Sequence, residues 1–282
     1  MLLTPSVLRI DPEEMKQKIT RFIKDYVTKT KAKGVVLGMS GGIDSSTNAV
    51  LTALAIGGNK TLGLLMFEKE TKNRIDVNHA LQVAKKFKIK TVTIDITRTL
   101  STIYDTIPDF AKSDLKPMGN IKARMRMLLL YYYANSKNLI VSASSDKSET
   151  MMGYYTKHGD IAADIAPQQD LYKTQVRQLA KHLGIPNAII TKPSTPALWP
   201  NQTAEQEIGM PYEKLDLILF GLEHFMETPQ IAEQIIMPIE TVESVKKRWL
   251  DAEHKRRLPL APKLGFRTVG KDFRLPYDIE GE

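Results

Sequence analysis

The sequence predicts an α/β fold, a doubly wound, mainly parallel sheet with helices on both faces. Short apolar runs, too brief for helices, alternate with longer segments of helical periodicity. The first run leads at once through a Gly- and Ser-rich turn into a helix, and the alternation repeats until at least four runs have passed. Right-handed crossovers between parallel strands place helices on both faces of such a sheet.

Residues 11–31 carry Met15, Ile19, Phe22, Ile23, Tyr26 and Val27 at helical spacing, an amphipathic helix that needs a larger body to lie on. Residues 34–39 form the first strand and 44–56 the helix after it. A buried strand at 61–67, a helix at 73–87 and a strand at 91–96 follow. Residues 120–135 place Ile121, Met125, Leu128, Leu129 and Tyr132 on one helical face, and 138–143 supply the fourth strand. Periodicity is lost from 142 to 169, and an aperiodic stretch of this length that keeps Tyr and Met reads as functional rather than disordered. A helix at 173–183 stops at Gly184-Ile185-Pro186. A Pro-rich link at 192–200 and helices at 212–225 and 239–252 lead into a basic tail containing Asp272-Phe273-Arg274-Leu275-Pro276.

Composition narrows the function classes. No stretch approaches the roughly 18 apolar residues of a membrane span, and the N-terminus lacks the pattern of a signal peptide, so a cytoplasmic protein with no membrane partner is expected. The absence of cysteine excludes disulfides, thiolate metal sites and a cysteine nucleophile for releasing ammonia from glutamine. A formal charge of +8 suits an anionic partner, either nucleic acid or a polyphosphate ligand.

Ser40-Gly41-Gly42-Ile43-Asp44-Ser45-Ser46, with Gly38 before it, joins the first strand to its helix, the place where open α/β sheets bind ligands. Glycines permit close backbone approach, hydroxyls add donors, and the N–H groups of the helix start attract an anion. Neither GxxxxGK[ST] nor GxGxxG is present. Asp44 would be repelled by phosphates unless a cation such as Mg²⁺ lay between them.

The segment resembles the SGGxDS loop of the ATP pyrophosphatases, enzymes of the adenine nucleotide alpha hydrolase-like fold that split ATP between the α and β phosphates. Ser142 to Glu149, Gly153-Tyr154-Tyr155-Thr156-Lys157-His158-Gly159-Asp160 and Asp170-Leu171-Tyr172-Lys173-Thr174-Gln175 narrow the resemblance to the NAD synthetases. Residues 120–126, 202–209 and 253–257 extend it over nearly the whole chain. We therefore expect one domain over 1–282, with an N-terminal helix at 11–31, a nucleotide-binding core at 34–190 and a C-terminal helical and basic part at 205–282.

The resemblance implies ATP held by Gly38, residues 40–46, Lys173 and Thr203, with Mg²⁺ on Asp44 and Glu149. It implies deamido-NAD near Arg126, Tyr155, Lys157, Asp160, Asp164, His254 and Lys255, while Arg124 reads equally well as a surface residue. Asp44, Lys173, Asp160, His254 and Lys255 are the implied catalytic set, with Asp160 near the entry of ammonia and His254 and Lys255 closing over the phosphates. The implied reaction adenylates the nicotinate carboxylate and lets ammonia displace AMP, with residues 66–73 and 192–203 closing the site. The family implies a homodimer, for which the apolar helix at 120–135 offers a face, and a separate glutaminase subunit is compatible with the missing cysteine.

Two positions depart from the family pattern: Ala143-Ser144 stands where Gly-Thr is usual, and Ala204 where an acid is usual, its part falling to Glu205 or Gln206. The alternative reading is a tRNA-modifying enzyme using the same loop, but nucleic acid is not the expected partner because no RNA-binding module is present. A nucleotide-binding protein without chemistry is opposed by the presence of Asp44, Glu149 and Lys173 together.

Overall fold

The computed structural model describes residues 2–71 and 73–273. Positions 274–282, including Arg274, Leu275 and Pro276 of the expected tail, lie outside the described residues. In chain order the elements are α1 (Pro12–Lys29), β1 (Gly34–Gly38), α2 (Ile43–Ile56), β2 (Thr61–Phe67), α3 (Arg74–Lys86), β3 (Lys90–Asp95), α4 (Thr97–Asp105), α5 (Leu115–Lys137) and β4 (Leu139–Ser142). There follow α6 (Lys147–Met152), α7 (Lys173–His182), α8 (Asn187–Ile190), α9 (Ala204–Ile208), α10 (Tyr212–Glu223), α11 (Thr228–Ile235), α12 (Ile239–Asp251) and α13 (Glu253–Arg256).

The strands form a four-stranded parallel sheet in the order β3-β2-β1-β4. β1 is buried along almost its whole length because it has a neighbour on each edge and a helical layer on each face. Alternation divides its side chains: Val35 and Leu37 join the core beneath α1, α2, α3 and α7, and Val36 joins the smaller one beneath α5. Chain direction across the sheet reverses between β1, whose next strand lies on one side, and β4, which lies on the other. That reversal opens a crevice at the C-terminal ends of these two strands. Asn48 of α2 fixes its width: its side-chain N–H donates to the Ala143 carbonyl at 3.0 Å, and its oxygen accepts from Ser142 Oγ at 3.0 Å.

A separate apolar cluster joins α10, α11 and α12 to α6, with Tyr212, Leu215 and Ile218 fully buried. Asp216 of α10 ties this cluster to the sheet half, accepting from Ser148 Oγ at 2.6 Å and from the Thr174 N–H at 2.8 Å. One boundary differs instructively from the sequence reading. α5 begins at Leu115 rather than at 120, because Pro117 sits in the first turn, where no intrahelical N–H bond is required. β2 has the bounds expected of it, so Met66 and Phe67, also counted in the closing segment 66–73, are strand residues, and residue 72 of that segment lies outside the described residues. Among the described residues no helix is long and apolar enough to cross a membrane.

Candidate active site

The crevice is the mouth of a cavity of about 990 Å³, at the upper end of the range for small-molecule sites. Its floor is the turn between β1 and α2. Gly41 adopts φ +84°, and a β-carbon there would stand 2.0 Å from the Asp76 carbonyl oxygen, so only glycine lets the first turn of α3 pack against the turn. Ser40 Oγ and Ser45 Oγ lie 2.9 Å apart, and Ser45 Oγ donates to the Gly42 carbonyl at 3.1 Å. These bonds hold the turn open without a side-chain cap on α2, whose first-turn N–H groups are left to a ligand. Gly38, Ser40, Gly42, Ile43, Asp44 and Ser45 line the cavity, while Gly41 and Ser46 support it from beneath.

Beside the turn lies an ion cluster. Lys173, fully buried at the start of α7, donates to Asp44 Oδ2 at 2.7 Å and Glu149 Oε1 at 2.9 Å, and lies 2.7 Å from Asp146 Oδ2. Three carboxylates therefore surround one ammonium, a surplus of acids that favours uptake of a proton or a second cation. Burial alone would lower the Lys173 pKa, but the charges of Asp146, Asp44 and Glu149 prevail and hold its proton well above the usual range. Burial pushes the Asp146 carboxyl up against the pull of Lys173, and burial with the Asp146 charge raises Glu149 well above the carboxylate range.

This donor set suits a hard divalent cation. One oxygen from each of Asp44, Asp146 and Glu149 lies within 4.8 Å of the others, and Asp44 Oδ1 is buried without a hydrogen-bond partner. The residues present thus fit such an ion, with Asp146 as a third carboxylate that the sequence reading passed over. Asp146 also caps α6 by accepting the Glu149 N–H at 2.8 Å, so the N-cap residue and the first-turn acid of one short helix both face the ion cluster.

Across the cavity, Arg126 of α5 forms no hydrogen bond among the described residues and presents its guanidinium to the open space. Burial lowers its pKa, opposed by Glu68 and Asp160. Arg124 points outward and donates to the Lys157 carbonyl at 3.1 Å. Asp160 accepts the Thr156 N–H at 2.8 Å and faces the cavity. Packed protein around its carboxyl raises the pKa, an effect that hydrogen bonds, Arg126 and Lys255 only partly oppose. Lys255 spans the gap from α13, donating to the Gly153 and Tyr155 carbonyls at 2.6 and 2.9 Å, and lies 5.3 Å from the Tyr155 ring centroid.

Other expected residues do not meet here. Asp164 lies outside the cavity, where it accepts the Val141 N–H at 2.8 Å and so secures the aperiodic segment to β4. Lys157, His254 and Thr203 also lie outside the lining, although Gln202 and Ala204 on either side of Thr203 are within it. Neither Glu205 nor Gln206 replaces the acid missing at the buried Ala204: Glu205 accepts from the Tyr212 N–H and pairs with Arg177, and Gln206 is exposed. Glu207 of α9 lines the cavity, where it accepts from Tyr154 Oη and, at 3.1 Å, from Gln202. Its position one helical turn after Thr203 is the signal that could have found it.

A protein-family model described as NAD synthase matches residues 15–259. An NH(3)-dependent NAD(+) synthetase of Methanocaldococcus jannaschii is 46% identical over 257 residues, spanning 89% of this chain and 97% of the relative. Among solved structures, the NMN synthetase of Francisella tularensis superposes with a TM-score of 0.80 at 32% identity, over 91% of this chain and 100% of the other. The NH3-dependent NAD synthetase of Campylobacter jejuni gives 0.75 at 29% identity, over 90% and 100%.

Proposed function

The chain belongs to the NAD synthase family, and from that membership we propose that it converts the nicotinate carboxylate of deamido-NAD into the amide, consuming ATP and ammonia and releasing AMP and pyrophosphate. The observation that carries this reading is the placement, around one cavity, of an uncapped helix start and a carboxylate cluster on one side and, on the other, an arginine that makes no hydrogen bond among the described residues.

In this reading the ATP phosphates lie on the turn at Ser40–Ser45, and Arg126 holds the acid substrate in line with the α phosphorus. A carboxylate oxygen attacks that phosphorus and the bond to the β phosphate breaks. The leaving pyrophosphate is stabilised by the first-turn N–H groups of α2, which are fixed before the reaction starts. A magnesium ion held by Asp44, Asp146 and Glu149 supplies further positive charge beside it when bound. Lys173 orients Asp44 and Glu149, and reaching a phosphate directly would require it to release one of these partners.

Ammonia then attacks the acyl carbon and AMP departs with the oxygen that carried it. Ammonium must first lose a proton, and Asp160, kept basic by burial and open to the cavity, is placed to accept it. Lys255 closes the far side. The donor is free ammonia, since the chain has no cysteine to open glutamine, and a separate glutaminase would deliver the same molecule. A homodimer is supported by α5, on whose outer face Leu128 and Tyr132 are 58% and 64% exposed.

The test is an assay of the purified protein with ATP, Mg²⁺, ammonium and deamido-NAD, with glutamine or nicotinate mononucleotide substituted in parallel. The mononucleotide arm matters because of the structural likeness to an NMN synthetase. Equal amounts of NAD, AMP and pyrophosphate with ammonium are expected. ADP as product, or AMP without NAD, would overturn the reading.

A further inference from the structure

One wall of the cavity is built by residues 192–199, a segment without regular secondary structure that is nevertheless fastened at both ends. Lys192 forms an ion pair with Asp76, the residue whose carbonyl packs on Gly41 beside the phosphate turn. At the other end, Leu198 and Trp199 sit flush against α5 at Gly119, where a β-carbon would approach Leu198 Cβ to 3.0 Å and the Trp199 ring to 3.2 Å. One turn along the same helix, Lys122 donates to the Leu198 carbonyl at 2.8 Å and pairs with Glu68 at 2.6 Å. The side chains of Lys122 and Glu68 are only 4% and 6% exposed.

A lysine buried to that degree is costly to desolvate, and its one carboxylate partner and one carbonyl acceptor belong to two different loops. Glu68 follows β2, Leu198 lies in the wall, and Lys122 joins them on α5 four residues before Arg126. The wall therefore reaches from the phosphate turn to the arginine, over the place where an acyl adenylate would form between them. We infer that Lys122 is a positioning residue that clasps this wall, and that its effect falls on the coupling of ATP use to amide formation. The inference rests on the adenylation reading above.

With the wall held, ammonia has access to the acyl carbon while bulk water does not. With the wall freed, water attacks the acyl carbon, the bond from that carbon to the AMP oxygen breaks, AMP leaves, and the carboxylate is regenerated with one oxygen from water and a proton lost to solvent. ATP is then spent with no amide formed. A residue that served stability alone would lower NAD and AMP together. A clasp changes their ratio.

The experiment measures NAD and AMP in ¹⁸O-water for the wild type, for Lys122→Met combined with Glu68→Gln, and for Gly119→Ala. The double substitution removes both buried charges together, so that neither is left unpaired and folding is retained. Gly119→Ala moves the wall without touching the ion pair. We expect AMP to exceed NAD by at least about twofold in both variants, with ¹⁸O appearing in the carboxylate of recovered deamido-NAD. Equal AMP and NAD in both folded variants would overturn the clasp, as would ¹⁸O in the AMP phosphate after a single turnover, before any labelled carboxylate can be adenylated again, because that label reports water attack at phosphorus. A wild type that makes no NAD would instead remove the adenylation reading on which the clasp rests.

Discussion

The two halves of the site are built from different materials. The turn at 40–45 is made of backbone: its donors are N–H groups, its shape comes from two glycines, and the bonds among its own residues span five residues or fewer, with one long-range bond from Gln168 to the Asp44 carbonyl. The ion cluster is made of side chains that meet only in the folded protein, with Lys173 reaching Asp44 across 129 positions and Glu149 across 24. A backbone site is therefore encoded where it is used, whereas a side-chain site depends on every element that positions α2, α6 and α7. Asp216, from the C-terminal helical cluster, is one such dependence, because it anchors Ser148 and Thr174 beside Glu149 and Lys173.

Removing the centre of the side-chain half should have the largest effect. Lys173→Met leaves three neighbouring carboxylates without their ammonium, and a stability loss of about 3–5 kcal/mol is expected, together with a fall in kcat of about 10²-fold or more. Denaturant melts and steady-state rates check both, and a variant near wild-type stability would mean that the cluster is not held by Lys173.

The long-range dependence can be sharpened with pH. Burial pushes the Asp216 carboxyl up to about 6 from 3.8, against hydrogen bonds from Ser148 and Thr174. A folded-state pKa above the unfolded one makes the contribution to stability complete below about pH 4 and lost as pH rises through 6. Asp216→Asn should therefore flatten the stability profile between these limits by about 3 kcal/mol. Asp146, Glu149 and Asp160 are shifted in the same direction, so some slope should persist. An unchanged profile would sink the assignment to Asp216.

The backbone half is probed by Gly41→Ala, which meets both the positive φ and the Asp76 carbonyl. A loss of about 1–3 kcal/mol is expected, with KM for ATP raised and KM for deamido-NAD little changed. The smallest contrast is within α5: Arg126→Lys should raise KM for deamido-NAD about tenfold by losing the planar fork, whereas Arg124→Lys, on the outer side, should leave it unchanged. Equal effects at the two positions would remove Arg126 from the substrate side.

What could be read beforehand follows the same division. The four strands and the turn after β1 were legible because alternation, run length and glycine placement are local signals. Glu149 and Lys173 came from family motifs, but the third carboxylate, Asp146, did not, since a helix N-cap gives sufficient reason for an aspartate at that position. Asp164 was grouped with Asp160 because the family resemblance implies both near the dinucleotide, yet its bond to β4 turns Asp164 away from the cavity. Short helices such as α6, α9 and α13 carry too few turns to show a period. Buried bridges such as Lys122 to Glu68 join segments whose local sequences say nothing of each other.

The central claim is that the acid is activated by transfer of AMP to its carboxylate, and the fate of the carboxylate oxygens tests it directly. Deamido-NAD carrying ¹⁸O in both carboxylate positions, turned over with ATP and ammonium, should yield NAD with one labelled oxygen in the amide and AMP with the other in its phosphate. Unlabelled AMP alongside labelled NAD would contradict the account, because the carboxylate would then never have been joined to the α phosphorus.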